Sequence, residues 1–474
     1  MWATWAALAT IALTATRADP DLWGHVRFGM DWLRTRSLPA VDPYSFTQDR
    51  PWINHEWLSE AIMAAAYTAA GHAGLIALKI VIVGVALFFV ARRLRGCTTA
   101  ITTTALGVVL VCMLPTTLTV RPHLWTLLGL VLLLTLLDRD DAPTWSRGLA
   151  GALLFAFWAN LHGGWITGAS VLATYTGVRI VTERRHLARW AVFAVVSIAG
   201  TLANPYGVGL WRFLAATVSS SRPDVMEWAP LGLASPLILW TPLVATGLIS
   251  IALSWRAVTR PRPEVWAALL LLIAGAVRVE RVAGLVAPAS LTLLAPYIRR
   301  AWGHRGRFTV AGRGPALLFA IPALVAFAAV AAPAARPFNC LTFAGDWSPD
   351  RQGAAYLAGT SGRLLTTFDW GEYAIWHFGP RLKVSIDGRR ETVYSNAVIN
   401  WHLAFERGDA EAAKVVAGLA PDYVWLRSER TVAKRWLMEN GYRVDADTGA
   451  SFVASRRDLP QLTTPGRPLS ACFP

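Results

Sequence analysis

The chain has 474 residues, of which 54% are hydrophobic and only 16% are charged, and its formal net charge at pH 7 is +15. So low a charged fraction excludes an ordinary soluble protein, because too little charge remains to keep its surface in water. The basic excess lies mostly in short segments beside apolar runs, where membrane topology and anionic lipid explain it. We therefore expect no nucleic-acid partner.

Apolar runs of about 15 to 20 residues, the length that a bilayer core requires, are separated by short polar or basic stretches. They predict an α-helical polytopic membrane protein with about eleven transmembrane helices, at 2–16, 73–90, 98–114, 123–137, 149–159, 165–181, 190–203, 236–254, 264–277, 282–298 and 314–332. Alternate loops carry about sixteen and about five Arg residues, and the richer set belongs on the cytoplasmic side. This places the N-terminus inside, and both the loop 17–72 and everything after about residue 333 outside.

The first apolar segment could instead be a cleaved signal peptide, because small residues follow its apolar run. It lacks the positively charged n-region of such peptides, and its only nearby charge, Arg17, comes after the run. Under either interpretation the loop that follows lies on the external side of the membrane.

This external loop, residues 17–72, is rich in carboxylates, imidazoles and indoles. Apolar residues recur at helical spacing from Leu22 to Leu33, which predicts an amphipathic helix lying at the membrane surface. Asp21 and His25 are four residues apart and so share one face of that helix. A second helix is expected to begin near Asn54.

The acid–base side chains of the loop are the candidate catalytic residues: Asp19, Asp21, His25, Asp42, His55 and Glu56. Asp19 and Asp21 stand beside the end of a span, where two acids have no obvious packing role. His55 and Glu56 are expected in the first turn of the second helix, where capping explains Glu56 equally well. Asp19, Asp21 and His55 could alternatively bind a divalent cation, Mg²⁺ or Mn²⁺, which prefers hard oxygen ligands.

Cationic and imidazole side chains cluster at the predicted outer ends of other spans. Because ionisable groups at membrane depth are costly unless they face a cavity or a partner, we expect them around one outward-facing pocket. The arginine fork suits a phosphate, although arginines at span ends also reach lipid headgroups. The candidate phosphate-binding residues are Arg121, His123, His162, Arg278 and Arg281.

The region 333–474 is more polar and is predicted to form an extracytoplasmic α/β domain with a mainly parallel sheet. Strands are expected at 363–368, 383–388, 421–427 and 451–455, and helices near 350–358, 396–419 and 431–440. No Gly-rich phosphate loop or metal-spaced Cys/His set occurs there. Polar residues follow the predicted strands, either as a ligand site or as caps and surface ion pairs: Asp369, Trp370, Glu372, Asp387, Arg389 and Arg390.

Two cysteines, Cys340 and Cys472, bracket this exported region. Thiols in an oxidising compartment can close a large loop and hold a chain terminus in place. We therefore predict a disulfide between them.

A first span, a long external loop that opens with an acidic motif, many further spans and an external α/β domain together resemble the GT-C superfamily of integral-membrane glycosyltransferases. This superfamily includes protein O-mannosyltransferases, oligosaccharyltransferase catalytic subunits and lipid A aminoarabinose transferases. The architectural match covers residues 1–332, which form the expected transmembrane domain together with the loop 17–72. Within the loop, the resemblance to a group of bacterial membrane proteins rests on the strings DPDLWGH, GMDWLRTRSLPAVDPYSFT and PWINHEWL. The sequence has DPD where better-known members have adjacent acids.

The resemblance implies transfer of a sugar from a polyprenyl-phosphate donor to a glycan, lipid or protein acceptor on the outer face of a bacterial inner membrane. A carboxylate would deprotonate or orient the acceptor hydroxyl, and cations would stabilise the departing phosphate. Asp19 or Asp21 is the expected base, with His25, Asp42 or His55 assisting, and Arg121, Arg278 and Arg281 are expected around the phosphate.

Two alternatives belong to other functional classes. A transporter or flippase of a lipid-linked polar substrate predicts paired half-sequence repeats and charges deep within spans, and neither pattern is clear here. A noncatalytic assembly protein would keep the fold without the reaction, because fold does not fix function.

Overall fold

The computed structural model describes residues 17–94, 118–138, 141–219, 226–232, 235, 237–254, 261–302, 340–343, 347–466, 469–470 and 472–473. The chain divides into two compact units. The helical unit comprises residues 1–16 and 73–339, and the sheet unit comprises residues 17–72 and 340–474. The predicted boundary at 332/333 grouped the loop 17–72 with the membrane helices, whereas the structure groups it with the C-terminal region. The cause is a set of backbone and ionic contacts that the loop makes with the sheet.

The described helices and strands run in chain order as follows: β1 (Arg17–Ala18), α1 (Leu22–Thr35), α2 (Trp57–Leu94), α3 (Leu124–Leu137), α4 (Trp145–Leu161), α5 (Trp165–Thr182), α6 (Leu187–Ala199), α7 (Val208–Ser219), α8 (Leu237–Ser254), α9 (Pro263–Arg278), α10 (Ala283–Trp302), β2 (Thr342–Phe343), α11 (Arg351–Ala355), β3 (Gly362–Thr366), α12 (Gly371–Phe378), β4 (Leu382–Val384), α13 (Asn396–Glu406), α14 (Ala410–Leu419), β5 (Tyr423–Arg427), α15 (Thr431–Glu439), β6 (Tyr442–Asp447) and β7 (Ser451–Arg456).

Each predicted span within the described residues overlaps a helix, whereas the segments 2–16, 98–114 and 314–332 lie outside those residues. Among the described helices, α2 and the segment Glu280–Arg300 are long and apolar enough to cross a membrane. The helices Leu124–Leu137 and Leu239–Ser254 are apolar but shorter. The total of eleven spans thus stays a prediction. Helix α7 was not predicted.

The outward faces of the helical unit are apolar. Phe157, Val195 and Leu270 are 61%, 68% and 60% exposed. The ion pair between Arg179 and Glu264 is buried instead, with Nη1 of the arginine 3.1 Å from Oε1 of the glutamate. Large exposed apolar side chains combined with buried charged ones suit a hydrocarbon environment, where water is absent to solvate charge.

Helix α2 joins the loop to the helical unit through a break. Ala70 and Gly71 leave helical φ/ψ values, and Gly71 has φ 57°, a conformation that only glycine adopts readily. The break separates the second helix of the loop from the predicted span 73–90. The loop helix begins at Trp57. His55 and Glu56 therefore lie in the turn before the helix, and the prediction that they lie in its first turn was wrong.

The sheet of the C-terminal region is mixed, with the order β4-β3-β5-β7-β6. β4, β3 and β5 are mutually parallel, whereas β7 is antiparallel to both β5 and β6. The prediction of a mainly parallel sheet was therefore wrong for the half formed by β5, β7 and β6. It missed β6, which reaches β7 through the short turn 448–450, and so tight a connection permits only antiparallel pairing.

The helices around the sheet also differ in detail from the sequence prediction. The segment expected as one helix over 396–419 is two, α13 and α14, separated at Gly408, which has φ 90°. Helix α12 was not predicted. It packs closely on the backbone that follows β4, because Gly371 has no side chain.

The loop 17–72 extends the sheet at its β4 edge. Ser45 pairs with Val384 in a parallel bridge, and the carbonyl of Tyr44 accepts from the amide of Val384 at 2.9 Å. The hydroxyl of Thr47 donates to the carbonyl of Ser385 at 2.5 Å. The loop thereby covers backbone groups that an edge strand would leave exposed.

The two ends of the C-terminal region are joined at the start of the loop. Cys340 and Cys472 form the predicted disulfide, with their Cα atoms 5.0 Å apart and a sequence separation of 132. The adjacent strand β2 pairs in parallel with β1, so the first residues of the loop lie beside this disulfide. These links hold Asp19 and Asp21, which follow β1, in place on the sheet unit.

Candidate functional site

The two acids after β1 have different environments. Asp19 is buried, and its Oδ1 accepts from the amide of Asp21 at 3.1 Å. Asp21 occupies the N-cap position of α1 without making a side-chain cap hydrogen bond, and it is half-buried. Of the two, Asp21 is the carboxylate that a substrate can reach.

Glycine allows a second part of the chain to approach Asp21. A Cβ atom placed on Gly388 would lie 2.3 Å from Oδ1 of Asp21 and 2.9 Å from Oε1 of Glu372. Any side chain at position 388 would therefore displace these carboxylates. The site at the start of α1 is thus built jointly by the loop and by the segment that follows β4.

Glu372, predicted only as a member of the polar cluster after the strands, is a buried acid. It is 3% exposed, and its Oε2 accepts from the amide of Gly24 at 3.1 Å. Burial raises the pKa of Glu372 well above its ordinary value, and the nearby charges of Asp21 and Asp387 raise it further. Its carboxyl group is therefore held in the protonated form more strongly than an exposed glutamate would be.

Arg389 ties the loop to the sheet through two carboxylates. Its guanidinium makes two bonds to Asp42, of 2.6 and 2.9 Å, and two to Asp387, of 2.8 and 2.7 Å. Three aromatic rings surround this group at 4.8 to 5.3 Å from their centroids: Phe28, Tyr44 and Trp52. Both oxygens of Asp42 are used in this way, so we assign Asp42 a structural role and no longer an assisting role in catalysis.

His25 meets a carboxylate of α2. Its Nδ1 lies 3.3 Å from Oε1 of Glu60, an acid that was not among the candidates. The only sequence signal for Glu60 was its position one helical turn after Glu56. His55 and Glu56 form a separate pair, with Nε2 of the imidazole 3.5 Å from Oε1 of the carboxylate.

Polar residues lie at the carboxyl ends of the three parallel strands, as the sequence predicted. Asp369 follows β3, Asp387 follows β4, and Arg427 ends β5. Nη2 of Arg427 lies 3.0 Å from Oδ2 of Asp369, whose side chain is 34% exposed. Burial raises the pKa of Asp369, and Arg427 opposes this effect. At these strand ends the carboxylate of Asp369 and the guanidinium of Arg427 are partly exposed and lie side by side. Asp387 is completely buried.

In the helical unit, two of the predicted phosphate-binding arginines converge on one acid. Arg121 approaches Oε1 of Glu227 at 3.2 Å, and Arg281 approaches Oε2 at 3.8 Å. His162 accepts from the amide of Gly164 through Nδ1 at 3.0 Å. His123 occupies the N-cap position of α3. Arg278 is exposed in the last turn of α9.

A buried Ser–His–Glu arrangement in the sheet unit resembles a hydrolase triad. Nε2 of His402 lies 2.9 Å from Oγ of Ser385, and Nδ1 lies 3.6 Å from Oε1 of Glu406. His402 is completely buried, and burial lowers its pKa from 6.5 to about 3. No substrate can reach this serine, so the arrangement is a polar part of the core.

His402 predicts an acid-dependent loss of stability. Because its folded-state pKa of about 3 lies below the unfolded value of 6.5, its contribution is complete above pH 6.5 and declines as the pH falls toward 3. We expect each pH unit in this window to cost about 1.4 kcal/mol. Hydrogen exchange of β3 and β5 at pH 7 and pH 5 should show this slope, and His402→Asn should remove it. An unchanged slope in the variant would contradict the assignment.

The structure does not confirm a divalent-cation site at Asp19, Asp21 and His55. Asp19 and Asp21 lie together, but His55 is paired with Glu56. Within the described parts of the chain, no group of three or more His, Cys, Asp or Glu side chains is arranged to hold a metal ion. The expected Mg²⁺ or Mn²⁺ site therefore stays a prediction, and we assign no ligand.

No protein-family model matches this sequence, and no curated protein matches it significantly. Solved structures of an oligosaccharyltransferase from Archaeoglobus fulgidus do match its fold. The enzyme AglB in complex with an inhibitory peptide and a dolichol-phosphate has a TM-score of 0.60 and 12% identity, over 97% of this chain and 74% of that one. The apo form has a TM-score of 0.56 and 13% identity, over 90% and 69% of the two chains. The form tethered to an acceptor peptide containing the NVT sequon gives 0.57 and 12%, over 97% and 74%.

These likenesses extend over almost the whole chain, including both the helices and the α/β region. They show that the chain has the fold of an oligosaccharyltransferase, a member of the GT-C superfamily. The likeness of fold that the sequence resemblance implied is thereby confirmed, whereas the number of spans stays a prediction.

Proposed function

We propose that this chain is a membrane glycosyltransferase that moves a sugar from a polyprenyl-phosphate donor to an acceptor on the outer face of a bacterial inner membrane. The observation that carries the proposal is a fold shared over 97% of the chain with a structure that contains a peptide and a dolichol-phosphate. The apolar outward faces of the helical unit support a membrane location. The N-terminus would be cytoplasmic and the sheet unit extracytoplasmic, because the arginine-rich loops belong inside.

The chemistry assigns different roles to the two units. In the sheet unit, Asp21 is the accessible carboxylate that would orient or deprotonate an acceptor hydroxyl. In the helical unit, Arg121 and Arg281 already converge on a carboxylate, which supports a role in binding the departing phosphate. Arg278 adds an exposed cation.

The test compares the cell envelope of a strain that lacks this protein with that of its parent. We expect the deletion to remove one glycan modification and to accumulate a polyprenyl-phosphate sugar, and the intact gene to restore both. Mass spectrometry of extracted lipids and of released glycans measures the two effects. An envelope with unchanged glycans and lipid-linked sugars would overturn the proposal. Accumulation confined to the inner leaflet would indicate a flippase instead.

A further inference from the structure

The two helices of the external loop touch at a glycine. A Cβ atom placed on Gly29 of α1 would lie 2.0 Å from the carbonyl oxygen of Glu60 in α2, so only glycine permits this approach. His25 precedes Gly29 by four residues and projects from the same face of α1. The close crossing therefore brings its ring to the Glu60 carboxylate, with Nδ1 3.3 Å from Oε1.

Glu60 is itself held in place. It is 4% exposed, and its Oε2 accepts from Nδ2 of Asn54 at 2.6 Å. One carboxylate oxygen is thus engaged by Asn54, which leaves Oε1 for His25. A side chain fixed by helix packing and by a second hydrogen bond can fix the orientation of the imidazole in turn.

The other ring nitrogen of His25 points away from this pair. Within the part of the chain that the structure describes, Nε2 of His25 has no hydrogen-bond partner. The ring is mostly buried, yet its side chain keeps 13% exposure. Because Nδ1 faces Glu60, Nε2 is the atom that remains for a substrate.

The acids around His25 strengthen it as a base. Burial lowers the pKa of His25, but the hydrogen bond to the Glu60 carboxylate and the charges of Glu56, Glu60 and Asp21 raise it, and the net shift is upward. An imidazole next to three acids accepts a proton more readily than a free one. A carboxylate such as Asp21 is a weaker base at neutral pH, and is better suited to orienting the acceptor.

Resting on the proposed transferase, we propose that His25 is the catalytic base and that Glu60 is the positioning residue that presents its Nε2 to the acceptor. In this step the acceptor hydroxyl gives its proton to Nε2, and its oxygen forms a bond to the anomeric carbon of the sugar. The bond between that carbon and the donor phosphate breaks, and the phosphate keeps the electron pair. Water then takes the proton from the imidazolium.

The first test observes His25 directly and needs no activity. Full-length protein labelled with ¹⁵N-histidine in nanodiscs is studied at pH 9, and His25→Asn identifies the signal. We expect the proton on Nδ1 in the wild type. We expect a shift toward Nε2 protonation in Glu60→Ala, because free imidazole of histidine prefers that form. Glu411→Gln, which alters an exposed acid of α14, should change nothing. A wild-type proton on Nε2 would overturn the positioning role even if the Glu60 variant failed to fold.

Chemical modification gives an independent measure of access to Nε2. Diethyl pyrocarbonate acylates neutral, reachable imidazole nitrogens, and mass mapping locates the modified residues. His25 should be modified, while the completely buried His402 serves as an unreactive internal reference. A His25 as inert as His402 would overturn its role as the base.

The second test measures transfer from the lipid-linked sugars extracted from the deletion strain. We expect His25→Asn and Glu60→Ala each to lower kcat by about 100-fold with little change in KM. The double variant should lose no more than His25→Asn alone, because Glu60 acts through His25. If the losses of the two single variants multiply in the double variant, Glu60 does not act through His25, and its role is merely structural. A wild type that consumes none of these sugars would refute the proposed function, whereas an active wild type with a fully active Glu60→Ala would refute only this inference.

Discussion

Replacing Asp21 by Asn should strongly slow sugar transfer while leaving the fold intact. The substitution keeps the shape of the side chain and removes the charge with which it orients the acceptor, and we expect a loss of about 100- to 10,000-fold in kcat/KM. The rate of transfer from extracted lipid-linked sugars measures the effect. Asp19→Asn and His55→Ala should lose less, since Asp19 is buried and His55 is paired with Glu56. Equal losses for all three would contradict the assignment.

A substitution at Gly388 tests the Asp21 carboxylate without replacing Asp21 itself. Gly388→Ala would place a Cβ atom 2.3 Å from Oδ1 of Asp21, so the carboxylate must shift. Because a small displacement of a reacting group is costly, we expect a loss of about 100-fold. Gly418→Ala is the matched control, since nothing lies within 4 Å of a Cβ atom at this helical position. Activity retained in Gly388→Ala would exclude Asp21 from the chemistry.

The largest expected effect on stability follows from replacing Arg389 by Met. This change leaves Asp42 and Asp387, both completely or almost completely buried, without their shared cation. Breaking a buried ion pair from one side costs about 3 to 5 kcal/mol, because the remaining charge is not solvated. Loss of the guanidinium also removes its contacts with three aromatic rings. We therefore expect the loop to detach from the sheet edge.

Hydrogen exchange measures this local opening without requiring the whole chain to unfold in two states. Peptides covering 40–50 and 382–393 should exchange much faster in Arg389→Met, and peptides of the helical unit should be unaffected. Arg407→Met, a change at an exposed arginine of the same region, provides the control. Unchanged protection of both segments would show that the other hydrogen bonds between the loop and the sheet unit hold the loop without Arg389.

Much of the architecture could be predicted from local patterns. The helix over Leu22–Thr35, the apolar helices of the helical unit and most of the sheet strands follow from hydrophobic periodicity, which sets one buried face per element. The order of the strands could not be predicted in this way. The hydrophobic pattern of a short strand does not indicate whether the strand runs parallel or antiparallel to its neighbours. The antiparallel pairing of β7 with β5 and β6 is therefore known only from the structure.

The candidate site was likewise predicted in part from the sequence and in part known only from the structure. Composition and spacing indicated the acids Asp19 and Asp21 and the neighbouring imidazole of His25, because their chemical types stand close in sequence. The groups that decide their chemistry are distant in sequence: Glu372, for example, accepts a hydrogen bond from the amide of Gly24, 348 residues earlier. Such contacts depend on packing between elements and leave no periodic signal. For this reason the sequence also treated Asp42 as an acid–base candidate, although Arg389 holds it in a structural ion pair.

The sequence by itself determined an apolar helical body, a loop rich in acids after the first apolar run, and a polar α/β region. These properties follow from composition, run length and charge distribution, all of which act locally along the chain. Only the tertiary structure decided that the loop belongs to the sheet unit, which acids are exposed and which imidazole is oriented. Those outcomes depend on burial and on glycines that permit close approach, as at Gly29 and Gly388, and both are properties of packing between distant segments.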